Sequence, residues 1–367
     1  MAVINYYWSG FAALVVVACS SHGTTSSTTG SGGSPATTSG GTAGITSNGG
    51  ASAGNSSSAG NSGAAGSGNN SAGGGGTTHS GGTNGAAGAS GATGTSGSPG
   101  SAGSGGAAPS TACGASTWPT TSPTTVMVTD KANNTVSRQY YFSLPSGYDG
   151  TKPYPVVFAW HYLGGMASTI AGNGFSGHYY GVQPLFPNAI YVAPQGLTDS
   201  SSGNTGFPNT NDQDIAFAKA MVSWFENNLC VDKARLFSTG FSYGGMMSHT
   251  ISCEMPDVFR ALGIMSGIDI FNRSSCVNHG IAAWITHGDM DTTLPFSSGE
   301  TARDRIVTAN HCGSTTHPVD PAIDSGACVQ YDGCDTDYPV VWCPVAGEGH
   351  AIPNFGANAI ASFFKQF

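Results

Sequence analysis

Residues 230–247 read CVDKARLFSTGFSYGGMM, and this stretch decides the fold. Residues 234–239 form a short apolar run of the kind found in strands buried on both faces. Residues 243–252 carry a helical pattern instead. Between them, Gly240-Phe241-Ser242-Tyr243-Gly244 matches G-x-S-x-G. At a strand-to-helix junction this pattern forces a sharp, strained turn and lifts the serine hydroxyl clear of the backbone. The helix amino terminus behind it favours a developing oxyanion. Ser242 is therefore the candidate nucleophile. The alternative is a tight-packing turn whose serine only caps the helix.

Further apolar runs lie on either side: PVVFAW (155–160), AIYVA (189–193), ALGIMS (261–266), IAAWIT (281–286) and PVVWCP (339–344). Residues 126–130 and 137–144 alternate like strands across the turn KANN (131–134), which predicts an opening hairpin. Helical patterns cover 214–228, with Ile215, Phe217, Val222 and Phe225 inward, then 243–252, 299–310 and 357–364. Strands alternating with helices predict an α/β fold with a mainly parallel sheet, whose reactive residues gather beyond the carboxyl ends of the strands.

A serine hydroxyl needs a base, and the base needs a carboxylate to orient it. HGDMDTTLP (287–295) follows one run and offers Asp289 or Asp291; GEGH (347–350) follows the last run and offers His350. The order Ser242, Asp291, His350 is that of the α/β-hydrolase fold. His287, at a strand end, reads as a backbone anchor. After the run 155–160 comes HYLGG (161–165), a candidate oxyanion loop. The donors would be a backbone N–H of Tyr162 or Leu163 and that of Tyr243. His161 reads as structural, because this loop needs backbone rather than imidazole.

From His161 onward the chain resembles the exported feruloyl esterases and polyhydroxybutyrate-depolymerase-like esterases of carbohydrate esterase family 1. The matching pieces, in order, are WHYLGG (160–165), DIAFAKAMV (214–222), CVDKARLFSTGFSYGGMM (230–247), PDVFRALGIMSG (256–267), HGDMDTTLP (287–295), ARDRIVTANHC (302–312) and YPVVWCPVAGEGHAIPNF (338–355). The resemblance implies an α/β-hydrolase fold and a serine esterase with an acyl-enzyme mechanism. It also implies that the acid is Asp291, the fourth residue after His287. Two departures stand out. Tyr162 occupies the place of the first glycine of the oxyanion loop, and Ala351-Ile352-Pro353 replaces the x-W-P that follows the histidine in many relatives. Feruloyl substrates need a slot for a flat methoxyphenol. Phe207 and Trp342 are the candidate substrate-binding residues, although Trp342 in its strand also reads as core. Polyhydroxyalkanoate and acetyl xylan esters are the alternative substrates. A non-catalytic surface-binding protein on a hydrolase scaffold is the alternative class.

The chain has 367 residues with 11 basic and 20 acidic side chains, and none of these precedes Asp130. Of 56 glycines, 29 lie between Ser20 and Ala112, where large apolar residues are nearly absent. Such a segment cannot offset its chain entropy by burial. It predicts a flexible tether with an end-to-end distance of about 50 Å, leaving 113–367 as the folded domain. Residues 1–19 read as an export signal: FAALVVVA (11–18) is too short to cross a bilayer. It ends in Val16-Val17-Ala18-Cys19, a lipobox-like site where Cys19 would take a lipid. A net charge of −9 without a Lys/Arg stripe argues against nucleic acid. An exported monomer is expected, extracellular or lipid-anchored at the cell surface, with an ester linked to plant polysaccharide as its partner. Cys113, Cys230, Cys253, Cys276, Cys312, Cys328, Cys334 and Cys343 remain, an even number that predicts four disulfides. The short 328–334 loop suggests one bridge and Cys312–Cys343 a second, with the other four cysteines paired among themselves. No C-x-x-C pair occurs, so no zinc site is expected. The triad needs neither metal nor organic cofactor.

Overall fold

A computed structural model describes residues 108–174, 176–200, 202–270, 280–319 and 328–367. The expected export signal with Cys19, most of the expected tether, and Cys276 lie outside the described residues.

The chain opens with the expected hairpin, β1 (Thr124–Thr129) and β2 (Thr135–Ser143), then β3 (Tyr154–Trp160), α1 (Ala167–Ala171), α2 (Gly177–Tyr180) and β4 (Ile190–Pro194). A two-residue pair, β5 (Leu197–Thr198) and β6 (Thr205–Gly206), precedes α3 (Gln213–Asn228), β7 (Val231–Phe241) and α4 (Tyr243–Glu254). Then come β8 (Ala261–Met265), β9 (Ala282–Gly288), α5 (Phe296–Ala309), β10 (Thr316–Pro318), β11 (Val329–Tyr331), β12 (Val340–Val345) and α6 (Gly356–Phe364). Among the described residues the main sheet has the order β1-β2-β4-β3-β7-β8-β9-β12-β11-β10. Its centre, β4 to β12, is parallel, and antiparallel strands flank it on both sides.

Most of the central strands are largely apolar because helices cover both faces. Every residue of β3, β8 and β9 is buried. Successive side chains in β3 go to opposite layers. Val156, Phe158 and Trp160 join the core under α3, α4 and α5, and Val157 and Ala159 join the core under α1, α2 and α6. Helix α3 buries Ile215, Phe217, Val222 and Phe225 as its spacing requires.

Two expectations are corrected. Folded structure begins before Cys113: Ala108 N–H donates to Asp232 Oδ1, and Ser110 Oγ donates to the Leu229 carbonyl. Two disulfides also pair differently, as Cys312–Cys334 and Cys328–Cys343, whereas Cys113–Cys230 falls within the set of four expected to pair among themselves. Strand register is the reason. Val329 stands opposite Trp342 in the antiparallel β11–β12 pair, which sets Cys328 opposite Cys343. Strand β11 extends between Cys328 and Cys334 and carries Cys334 away, to the end of α5. There the Asp335 N–H bonds the Asn310 carbonyl beside Cys312. Cys253 is also disulfide-bonded.

One buried charge pair has no counterpart in the sequence reading. Arg138 in β2 and Asp214 in α3 are both fully buried, 2.8 Å apart. Arg138 also donates to the Gln195 carbonyl, and its guanidinium lies over the Phe217 ring. Burial raises the Asp214 pKa against the opposing pull of Arg138. Asn209 N–H donates to the other carboxylate oxygen, which offsets part of the pair's desolvation, while Arg138 Nε and Nη1 are buried without a hydrogen-bond partner among the described residues.

Candidate active site

Ser242 follows the last residue of β7 and occupies the N-cap position of α4 without a side-chain cap bond, at φ 56° and ψ −119°, a conformation costly for a residue with a Cβ. Glycines make the elbow possible. A Cβ on Gly244 would lie 2.0 Å from the Trp160 carbonyl oxygen, and one on Gly240 would lie 2.3 Å from the Gly244 backbone. The start of α4 is thus pressed against the end of β3 and the first residue of the loop 161–165.

The three candidate catalytic side chains meet at the carboxyl ends of β7, β9 and β12. Ser242 Oγ lies 2.8 Å from His350 Nε2, and His350 Nδ1 lies 2.6 Å from Asp291 Oδ2. Loop backbone joins the acid and base segments: Met290 N–H donates to the Glu348 carbonyl and Asp289 N–H to the Val345 carbonyl. Asp291 Oδ1 accepts the N–H groups of Thr293 and Leu294. Burial raises the pKa of this carboxyl, but hydrogen bonds from His287, His350 and the Leu294 N–H outweigh it. They hold the group well below the usual carboxylate range. Asp291 is therefore an ionised, four-point-held partner for His350. Asp289 instead accepts the Gly347 N–H at 2.7 Å on the surface and braces the loop that carries His350.

The candidate oxyanion loop is held from behind. His161 Nδ1 lies 2.7 Å from the Tyr162 carbonyl, and its Nε2 accepts the Gly196 N–H. Only a neutral imidazole with its proton on Nδ1 makes both bonds. Burial accordingly pushes the His161 pKa down to about 4. His249, inside α4, is lowered to about 4 by burial as well, against an opposing effect of Asp269. Both folded-state values lie below the ordinary histidine value of 6.5. As pH falls below 6.5 the unfolded chain takes up these two protons and the folded one does not. Stability is full above 6.5, falls toward pH 4, and levels off below it. Each ring contributes a slope of about 1.4 kcal/mol per pH unit. Urea unfolding at pH 7 and pH 5 measures this, and equal free energies would mean that both rings protonate within the fold.

Phe207 is 1% exposed and packs against Trp160, His161 and Tyr243. It supports the candidate oxyanion loop and the elbow from below. Trp342 is seated in the core beneath α5, against Phe296 and under Arg303. Its position in β12 turns it to the α5 layer, so it belongs to packing rather than to a pocket wall. One aromatic neighbour of the site, Phe241, was not singled out by sequence. The Phe241 ring is 4.8 Å from that of His350, and Tyr162 packs edge-on against Phe241. Phe241 was available to sequence reading as the x of G-x-S-x-G. Met290, Met166 and Leu163, on the acid and oxyanion segments, are 65, 52 and 37% exposed. Among the described residues no group of three or more His, Cys, Asp or Glu could hold a metal ion.

A hydroxyl, an imidazole and an ionised carboxylate joined in line at a strand-to-helix elbow are the machinery of acyl transfer. The fold and this arrangement define an α/β-hydrolase, a serine carboxylic-ester hydrolase. A family model described as the prolyl oligopeptidase family matches residues 204–272, the segment around the elbow. Feruloyl esterase C of Emericella nidulans is 35% identical over 224 residues, 61% of this chain and 80% of its own length. Feruloyl esterase D of Neurospora crassa is 36% identical over 225 residues, 59% of this chain and 74% of its own length. A solved CE1 ferulic acid esterase from Anaeromyces mucronatus aligns with 69% of this chain and 92% of its own, at TM-score 0.47 and 16% identity. The chain belongs to the feruloyl esterase family. Its disulfides fit an exported protein.

Proposed function

We propose that this protein hydrolyses hydroxycinnamoyl (feruloyl) esters of plant cell-wall polysaccharide through an acyl-enzyme. The observation that carries the reading is the unbroken hydrogen-bond chain Ser242–His350–Asp291. Ser242 Oγ attacks the ester carbonyl carbon while His350 Nε2 takes its proton. The carbonyl π electrons move onto oxygen, which faces the backbone N–H groups of Tyr243 and Tyr162 or Leu163. The intermediate collapses, the bond to the alkoxy oxygen breaks, and His350 returns the proton to the leaving alcohol. Water then attacks the acyl-enzyme, gives its proton to His350, and releases the acid as Ser242 recovers its hydrogen.

The relatives' names support the feruloyl group as the acyl part, and the aromatic and exposed apolar side chains near the triad suit a flat phenolic acid. The test is a panel of methyl ferulate, acetylated xylan and hydroxybutyrate oligomers. Methyl ferulate is expected to give the highest kcat/KM, and preference for either of the others would reassign the substrate.

We also propose export with lipidation at Cys19 and a tether over 20–107 that holds a monomeric esterase domain off the membrane. Cys19→Ser is expected to move the protein from the membrane fraction to the medium without changing its turnover. Retention in the membrane would overturn the anchor.

A further inference from the structure

We propose that His287 is a positioning residue for Asp291, clamping the carboxylate in the orientation from which it orders His350. The proposal rests on the esterase reading above.

His287 is the penultimate residue of β9, four residues before Asp291, and is fully buried. Its Nε2 lies 2.8 Å from the Leu294 carbonyl. A carbonyl only accepts, so Nε2 is the donor in this bond. The same Nε2 is 3.3 Å from Asp291 Oδ2, a second and longer acceptor for that N–H. Oδ2 is also the oxygen that accepts from His350. Leu294 closes the clamp, since its N–H donates to Asp291 Oδ1 while its carbonyl is held by His287. The imidazole therefore acts on the carboxylate directly through Oδ2 and indirectly through the turn that fixes Oδ1.

Two further observations point to placement rather than simple filling of the core. A Cβ on Gly299, in the first turn of α5, would come within 2.4 Å of His287 Nδ1. The helix closes onto the ring because no side chain is there, and the ring has no room to turn. Nδ1 itself is buried with no hydrogen-bond partner among the described residues. An unpaired buried nitrogen is a stability cost, tolerated most readily where a side chain serves a site. An apolar side chain would spare that cost but would leave the Leu294 carbonyl without this donor and Oδ2 held by His350 alone.

The test compares His287→Leu with His287→Gln in the full chain, using p-nitrophenyl acetate so that acyl preference does not enter. His287→Leu is expected to lower kcat roughly 10- to 100-fold, as small displacements of a catalytic group do, with KM little changed. His287→Gln places an amide nitrogen where Nε2 stands and is expected to recover most of that loss. Proton NMR of the resting enzyme supplies a readout independent of turnover. The downfield His350 Nδ1–H resonance is expected to shift in His287→Leu and to persist in His287→Gln. Should His287→Leu not fold, Gly299→Ala, which keeps the imidazole but crowds it, takes its place with the same expected shift. Unchanged kcat and resonance in the folded Leu or Gly299→Ala variant would overturn the proposal, as would equal losses in Leu and Gln. A wild-type protein without turnover would instead sink the esterase reading, leaving the resonance to decide the clamp.

Discussion

Ser242→Ala is expected to lower kcat/KM on any short ester by roughly 10⁴- to 10⁶-fold, the scale of removing a serine nucleophile whose partners act as a unit. The residual rate reflects an oxyanion site that can still polarise a carbonyl for attack by water. The fold should survive. Ser242 has intermediate burial, and the deleted Oγ bonds only His350, whose other nitrogen keeps Asp291. A stability change within about 1 kcal/mol is expected, ordinary for a substitution that opens no core cavity. Ser242→Gly separates chemistry from strain. It should be as inactive as alanine, yet more stable by about 1 kcal/mol, because φ 56° is costly only for a residue with a Cβ. Initial rates on p-nitrophenyl esters and thermal unfolding of the three proteins test both parts. Turnover that persists in a folded Ser242→Ala would falsify the serine mechanism, and a wild type with no turnover would favour a surface-binding protein.

The sheet was legible because its strands are buried on both faces, so PVVFAW, ALGIMS and IAAWIT announce themselves as unbroken apolar runs. The triad was legible for a related reason. A parallel sheet sends its loops to one end, so Ser242, Asp291 and His350 had to converge once each was assigned to a strand terminus. What stayed hidden depends on register and on long-range packing. The pairing of Cys328 with Cys343 follows from the alignment of β11 on β12, which neither sequence distance nor loop length reveals. Arg138 sits in an alternating strand near the sheet margin, where a cation reads as solvent-facing. Only the arrival of Asp214 from α3, 76 residues away, makes its burial possible. Phe207 has the loop position of a pocket wall, yet its ring turns inward beneath Tyr243. His287 was recognised as a backbone anchor and is one, at Leu294. Its approach to Asp291 requires the turn 291–294 to fold back on the strand end.

The choice between two nearby acids gives the second large effect. Asp291→Asn is expected to cut kcat by roughly 10⁴-fold, as loss of the charge that fixes a catalytic histidine's tautomer does. That loss equals about 5.4 kcal/mol of transition-state stabilisation at 1.36 kcal/mol per decade. The surrounding donors determine why. Thr293 and Leu294 N–H groups point at Oδ1, so the asparagine carbonyl must occupy that place and its NH₂ the place of Oδ2. The NH₂ then faces His350 Nδ1–H, donor against donor, and also meets the N–H of His287. His350 escapes by moving its proton to Nε2, which removes the lone pair that should take the Ser242 proton. Flipping the amide only transfers the conflict to the two backbone donors. Asp289→Asn has no such conflict. Its carbonyl can still accept the Gly347 N–H, in an exposed loop where charge is well screened. A change in kcat of no more than a few-fold is expected there, since the brace on the His350 loop remains. Rates of both variants on one ester, with unfolding curves to establish that each is native, decide the assignment. Comparable losses in two folded proteins would mean that the carboxylate serving His350 in turnover is not the one bonded to it at rest.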